Sequence, residues 1–214
     1  MKSIKVNLKD KTPENDSSNV SSLKPQRLAA MMLFKLAEED YIAARILWFN
    51  AGATVLTRVM LIITSCLEKT MKAFLQFKCG YLEEDLFKLG HDLEKIRLEC
   101  IQYNEFYNDT SLKEFCEEYT ENPGSKIHQV LGYGSVAKKS VEGMSLGGGE
   151  ESIKFLDRIF CGAIDTIGVP VWLSTYWEDN IANVTFYNPE IFRQAMREKN
   201  DEIDNILKKG LRKP

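Results

Sequence analysis

Apolar residues recur at steps of three and four after residue 25, which is the spacing of one face of an α-helix. The first such segment begins at Pro25 and stops at a Phe-Asn-Ala-Gly break at 49–52. Its apolar face carries Phe34, Ala37, Tyr41, Ala44 and Trp48. The pattern therefore predicts a long amphipathic helix that ends in a turn.

The next segment, 53–78, is apolar on two sides. One stripe consists of Leu56, Met60, Ile63, Leu67, Met71 and Phe74, and the other of Val55, Val59, Ile62 and Cys66. Such a helix must be covered on two sides, so we expect the central helix of a bundle or part of a dimer interface. The short connection predicts an antiparallel hairpin with the first helix. Glu68 and Lys72 have the spacing of an ion pair within a helix.

Further amphipathic segments predict an all-α fold, an antiparallel up-and-down bundle. The shorter predicted helices are 91–104, 110–120, 151–167 and 189–208. The connector at 79–90 is expected to hold one helical turn, and the aromatic stretch 168–177 to cover the bundle as an extended segment. The glycine-rich stretch 122–152 is long and irregular, hence either functional or mobile. We divide the chain into an N-terminal arm (1–27), a bundle (28–168) and a C-terminal helical extension (169–214).

Charge is unevenly spread along the chain. The net charge is −3, but residues 1–27 carry six basic and three acidic groups, and residues 193–214 seven and four. The middle of the chain is therefore at −9, which disfavours nucleic acid as a partner because such binding depends on neutralising phosphates. Residues 10–24 are polar and predict a flexible arm. Before them, "IKVNL" alternates apolar and polar residues and is compatible with a short edge strand.

The cysteines argue against a disulfide framework or a zinc ribbon, since their number, five, is odd and no two form a Cys-x-x-Cys pair. Reduced thiols predict a cytoplasmic protein. The first residues lack the continuous apolar core of a signal peptide. The most apolar run, 53–67, contains Arg58 and is too short to cross a bilayer, so we expect no membrane association.

Two short motifs lie on the second and third predicted helices. "SCLEKTMKAFLQF" at 65–77 is followed by "GHDL" at 90–93. In this order the motifs resemble the HEPN domain, and the resemblance extends over about residues 28–167. It implies a helical bundle that commonly dimerises and that occurs beside nucleotidyltransferases, in toxin–antitoxin and other defence systems. The chain after residue 168 has no counterpart in a minimal bundle of that family.

The resemblance also bears on catalysis. Ribonuclease members of the family carry an arginine, a short spacer and a histidine near the start of the last bundle helix. The only histidines here, His91 and His128, have no arginine at that distance before them. The resemblance therefore implies a non-nuclease member, of the kind proposed to bind nucleotides or partner proteins. His91 and His128 remain the weak candidates for catalysis, and we expect the chain not to be an enzyme.

Gly90, His91 and Asp92 open a predicted helix, where free backbone N–H groups favour an anion such as phosphate. The alternative is structural, because Asp92 or His91 can cap the first turn. Lys69 and Lys72 lie one turn apart on the preceding helix. They either bring positive charge towards Gly90 or form a solvated face.

"GYGSVAKKS" at 132–140 contains the remaining ligand candidates, Tyr133 and Lys138. It is not a P-loop, because Lys138 stands where the motif needs a glycine and no strand precedes it. The carboxylates and histidines do not have the spacing of a di-iron bundle. No histidine precedes His91, as a metal phosphohydrolase site would need, and we expect no cofactor. No nucleophile-elbow motif supports a serine triad, although the sequence does not exclude one.

These features predict a non-catalytic, dimeric helical module. It would bind a nucleotide-like or phosphate-like ligand, or a partner protein such as a nucleotidyltransferase, in a defence or regulatory system. The alternatives are a ribonuclease with a non-standard active site and a structural interaction module without a ligand.

Overall fold

The computed structural model describes residues 25–121, 149–168, 172–173, 177 and 188–210, and this part of the chain is all-α, as predicted. Its helices are α1 (Pro25–Ala51), α2 (Leu56–Cys79), α3 (Glu83–Leu89), α4 (Leu93–Ile101), α5 (Thr110–Glu121), α6 (Gly149–Ile167), α7 (Pro189–Arg197) and α8 (Ile203–Gly210). Short 3-10 turns lie at Gly52–Val55 and Glu105–Asn108. None of these helices is long and apolar enough to cross a membrane.

The long hairpin of α1 and α2 is the centre of the fold. Gly52 turns the chain with a φ of 58°, a value that favours glycine, at the break that the sequence predicted. Val59, Ile63 and Cys66 are fully buried, so both apolar stripes of α2 are covered within one chain. Helix α2 packs against α1, α4 and α6, which confirms it as the central helix of a bundle.

Helix α3 is longer than expected, because the connector holds seven helical residues instead of one turn. Gly80 ends α2 in the left-handed region, and its backbone N–H donates to Leu75. Asp85 then accepts from the backbone N–H of Leu82 and satisfies the first turn of α3. Leu86 and Leu89 anchor the helix in the core. The apolar pattern in α3 is too short to predict a helix of seven residues. The signals for it are Gly80, which ends α2, and the acidic residues in the first turn of α3, which favour a helix start.

The predicted last helix, 189–208, is wrong in one respect, since it consists of two helices. Lys199 has a φ of 49°, which breaks the helical path. Asn200 stabilises the break, because its side chain donates to the carbonyl of Met196 at 2.9 Å and accepts from the N–H of Glu202 at 3.1 Å. Apolar residues continue in register on both sides of the break. Periodicity therefore did not reveal it.

A buried polar network joins α1, α6 and α7. Arg45 donates to the carboxylate of Asp157, and its Nε donates to the carbonyl of Ala195 at 3.1 Å. Tyr41 donates to Asp157 at 2.9 Å and accepts from Asn200 at 3.0 Å. Arg45 and Asp157 are 0% and 3% exposed, so the pair is shielded from water. Burial raises the pKa of the Asp157 carboxyl, and Arg45 opposes that shift.

Three residues of the aromatic cover, 168–177, are described after Gly168, and the prediction of an extended segment is wrong at two of them, because Leu173 and Trp177 have helical backbone. Leu173 is buried, and the backbone N–H groups of Trp172 and Leu173 both donate to the buried carboxyl of Glu38 on α1. Trp177 lies edge-on to Phe192 of α7. The arm before residue 25 and the glycine-rich stretch at 122–148 lie outside the described residues.

Candidate functional site

The predicted site lies where α4 begins beside the middle of α2. Nδ1 of His91 lies 2.9 Å and 3.1 Å from the two carboxylate oxygens of Glu68. Glu68 is buried, whereas the His91 side chain is 78% exposed. The carboxylate therefore orients the imidazole from inside the protein while much of the ring faces solvent.

Lys72 completes this cluster. Its Nζ donates to Glu68 at 2.7 Å and to the carbonyl of Gly90 at 2.6 Å. The first contact confirms the ion pair that the spacing within α2 predicted. The second fixes the turn before α4, because Gly90 ends α3 with a φ of 64° and its carbonyl is held by a charged donor. Lys72, Gly90 and His91 are thus brought together around Glu68.

Lys69 does not join them. Its Nζ forms an ion pair of 2.6 Å with Asp40 on α1. Each of the two lysines expected to attract a phosphate is therefore already next to a carboxylate. The ion pair of Lys69 links α2 to α1, and the contacts of Lys72 link α2 to the turn before α4.

Asp92 has the capping role that was one of its two predicted roles. Its carboxylate accepts from the backbone N–H of Lys95 at 2.9 Å, as an N-cap of α4. The three predicted residues of the 122–148 stretch, namely His128, Tyr133 and Lys138, lie outside the described residues.

The cluster contains one feature of an acid–base site, a histidine paired with a carboxylate. A carboxylate that holds Nδ1 of a histidine is the usual way to orient a general base. Arg97, the arginine nearest to His91 in the sequence, is buried and donates to Glu94 at 2.7 Å and to the carbonyl of Tyr107 at 3.1 Å. The described residues also hold no group of three or more histidine, cysteine, aspartate or glutamate side chains arranged for a metal ion.

A cavity of about 490 Å³ lies elsewhere, between the end of α1, the start of α6 and α7. Its lining includes Trp48, Phe49, Glu150, Gln194, Glu198 and Lys199. Arg45 lies behind this wall, with its guanidinium 4.9 Å from the centre of the Phe49 ring. The sequence did not predict the cavity. Trp48 was its only signal, and at helical spacing that residue indicated a core position.

The chain matches no family model, no curated protein and no solved structure. The HEPN resemblance therefore rests on the sequence motifs alone.

Proposed function

We propose that the chain is a non-catalytic, HEPN-like helical module that acts as a dimer and binds a partner protein in a cytoplasmic defence or regulatory system. Partner binding is favoured over phosphate binding by the charges at the start of α4. Glu68 offsets Lys72, and Asp40 offsets Lys69, so neither lysine provides an unpaired positive charge for an anion. The order of the motifs supports the family, and a nucleotidyltransferase is the partner that the resemblance implies.

One observation carries the dimer. Leu28, Met32 and Leu36 lie four residues apart on α1, and each is between 44% and 55% exposed. This spacing puts them in one row along the helix surface. A contiguous apolar row on the exposed side of a helix is typical of a protein-binding face. A second copy that packs the same row against it would bury both rows in a two-fold symmetric contact.

Light scattering on the full chain tests this proposal. We expect twice the chain mass of 24.5 kDa at high concentration. The double substitution Met32→Glu and Leu36→Glu should give the single-chain mass, because it places charges in the contact. Leu98→Glu, which alters a similarly exposed leucine on α4, is the matched control and should leave the dimer intact. A wild-type chain that keeps the single-chain mass at every concentration would contradict the dimer.

The cavity beside Trp48 supports a second candidate function, the binding of a small aromatic ligand. Its volume lies in the range of small-molecule sites, and two aromatic side chains line it. Lys199 is paired with Glu150 at 2.6 Å, which leaves Glu198 as the remaining charge of the lining. The cavity therefore favours a neutral or cationic ring, such as a nucleobase without its phosphates.

Thermal unfolding with adenosine, AMP and ATP at millimolar concentration tests the second candidate. A ligand at 100 times its dissociation constant should stabilise the fold by about 2.7 kcal/mol. We expect the largest shift with adenosine, and its loss in Trp48→Leu. An equal or larger rise in the unfolding temperature with ATP would contradict the assignment to this cavity. If none of the three compounds raises the unfolding temperature, the proposed ligand binding is wrong.

A further inference from the structure

The hairpin of α3 and α4 exposes an apolar surface that none of the roles above uses. Phe87 is 88% exposed, which is unusual for so large an aromatic side chain. Leu82, Leu98 and Tyr103 are exposed on the same hairpin. We call the surface formed by these four residues the α3–α4 face.

Three side-chain contacts connect residues 81–89 to α4 and to the residues that follow it. Nζ of Lys95 donates to the carbonyl of Lys88 at 2.9 Å, next to Phe87. At the other end, the hydroxyl of Tyr81 donates to Glu99 at 2.7 Å. The Tyr81 ring also lies edge-on to Tyr103, with 6.2 Å between ring centres. These side-chain contacts link Lys88, near the end of α3, and Tyr81, just before its start, to α4, so the exposed apolar residues of the two helices lie on neighbouring segments.

The α3–α4 face is bounded by negative charge. Residues 81–105 contain seven acidic and three basic residues, a net charge of −4. Lys88 and Arg97, two of those basic residues, are already paired with Asp85 and Glu94. An occupant of this face should therefore combine apolar residues with positive charge.

We propose that residues 2–9 of the same chain, "KSIKVNLK", dock on the α3–α4 face. Ile4, Val6 and Leu8 alternate with polar residues and would share one side of an extended segment. The segment also contains Lys2, Lys5 and Lys9 and no acidic residue, so its charge of +3 complements the face.

The position of α1 supports an occupant from the same molecule. Arg27, in the first turn of α1, lies with its guanidinium 5.7 Å from the ring centre of Phe77, near the end of α2. Gly80 follows Phe77 after two residues and leads directly into α3. The chain therefore enters α1 near the end of α2, which is separated from α3 by three residues. Fifteen residues, 10–24, separate the segment from Pro25 and span up to about 50 Å when extended. This length allows residues 2–9 to reach α3 and α4 of the same chain.

In this arrangement Ile4, Val6 and Leu8 cover Phe87 and its apolar neighbours. Lys2 shares that side of the segment, whereas Lys5 and Lys9 lie on the opposite side and add positive charge near the acidic residues. A second protein would reach Phe87 only by displacing this segment.

Photo-crosslinking in the full chain tests the proposal. Phe87→p-benzoylphenylalanine places a light-activated group on the face, and Ile191→p-benzoylphenylalanine places the same group on an exposed position of α7. After illumination and proteolysis, mass spectrometry should find position 87 joined to the peptide with residues 2–9, several-fold more often than position 191. Crosslinks from position 87 to other peptides only, or equally from both positions, would overturn the proposal.

Two further measurements sharpen the result. In a mixture of isotope-labelled and unlabelled chains, the crosslinks should join residues of the same chain; crosslinks between chains only would assign the face to a second copy and overturn the proposal as stated. The triple substitution Ile4→Ser, Val6→Ser and Leu8→Ser should reduce the crosslink several-fold. The triple substitution leaves the p-benzoylphenylalanine at position 87 and its neighbours in α3 and α4 unchanged, so an unchanged yield would show that the apolar side of the segment does not bind.

Discussion

The buried carboxylate of Glu68 holds the exposed imidazole of His91 at 2.9 Å across the junction of α2 and α4. The same carboxylate binds Lys72, which holds the carbonyl of Gly90. One acidic side chain therefore organises the turn on which the predicted site depends. This makes Glu68, and not His91, the residue on which the local structure relies.

Glu68→Gln should destabilise the fold by about 1–3 kcal/mol, because it leaves the half-buried ammonium of Lys72 without its counter-charge. His91→Ala should cost less than about 1 kcal/mol, since that side chain is largely exposed. Urea unfolding measures both. Glu117→Gln, in an exposed pair with Lys113, is the matched control and should change stability by less than about 0.5 kcal/mol. A larger loss from His91→Ala than from Glu68→Gln would contradict this order.

Asp157→Asn should destabilise the fold by about 3–5 kcal/mol, because the guanidinium of Arg45 would remain buried without a counter-charge. Chemical unfolding checks this value. Asp165→Asn changes a carboxylate on the same helix that is 62% exposed and pairs with Lys209, so it should cost less than about 1 kcal/mol. Similar losses of unfolding free energy for the two variants would show that the burial of Asp157 does not increase its contribution to stability.

The sequence predicted what depends on periodic apolar contacts, and it missed what depends on long-range polar contacts. The α1 and α2 stripes are long enough for their spacing to identify both helices and the buried side of each. Asp157 and Arg45 lie more than a hundred residues apart, so no local pattern indicates their pairing. The ion pair of Glu68 with Lys72 was visible as a four-residue spacing. The contact of Glu68 with His91 depends on where the α3 turn places the chain.

The stability of the fold should fall as pH rises, because the buried carboxyl of Glu38 must lose its proton. Burial raises the pKa of this carboxyl from 4.5 to about 8, against the lowering effect of the N–H groups of Trp172 and Leu173. The unfolded chain loses this proton near pH 4.5, whereas the folded chain keeps it until about pH 8. The unfolded state therefore binds fewer protons within that window, and stability decreases there by on the order of 1 kcal/mol per pH unit.

Unfolding free energies of the wild type and of Glu38→Gln, measured from pH 5 to pH 8, test this sign. The variant has no proton to lose, so its stability relative to the wild type should rise steadily with pH. Glu39 and Lys35 are the charged groups that act on Glu38, with Glu39 raising its pKa and Lys35 lowering it. Glu117→Gln, at an exposed position of α5 that does not act on Glu38, should run parallel to the wild type. A constant difference between Glu38→Gln and the wild type would contradict the raised pKa.

Gly162 lies within α6, where alanine is intrinsically the better residue by about 1 kcal/mol. Here, however, a Cβ would lie 2.2 Å and 2.5 Å from Cε2 and Cζ of Phe106. We expect Gly162→Ala to destabilise the fold by about 1–3 kcal/mol, because the ring must move out of its packed position against Tyr107.

A double-mutant cycle separates this contact from helix propensity. In a Phe106→Ala background the added Cβ meets no ring, so Gly162→Ala should be neutral or stabilise the fold by up to about 1 kcal/mol. The sign of the same substitution would then reverse between the two backgrounds. Equal destabilisation in both would mean that the ring of Phe106 does not select glycine at position 162, and that the approach of the 105–108 turn to α6 depends on other contacts.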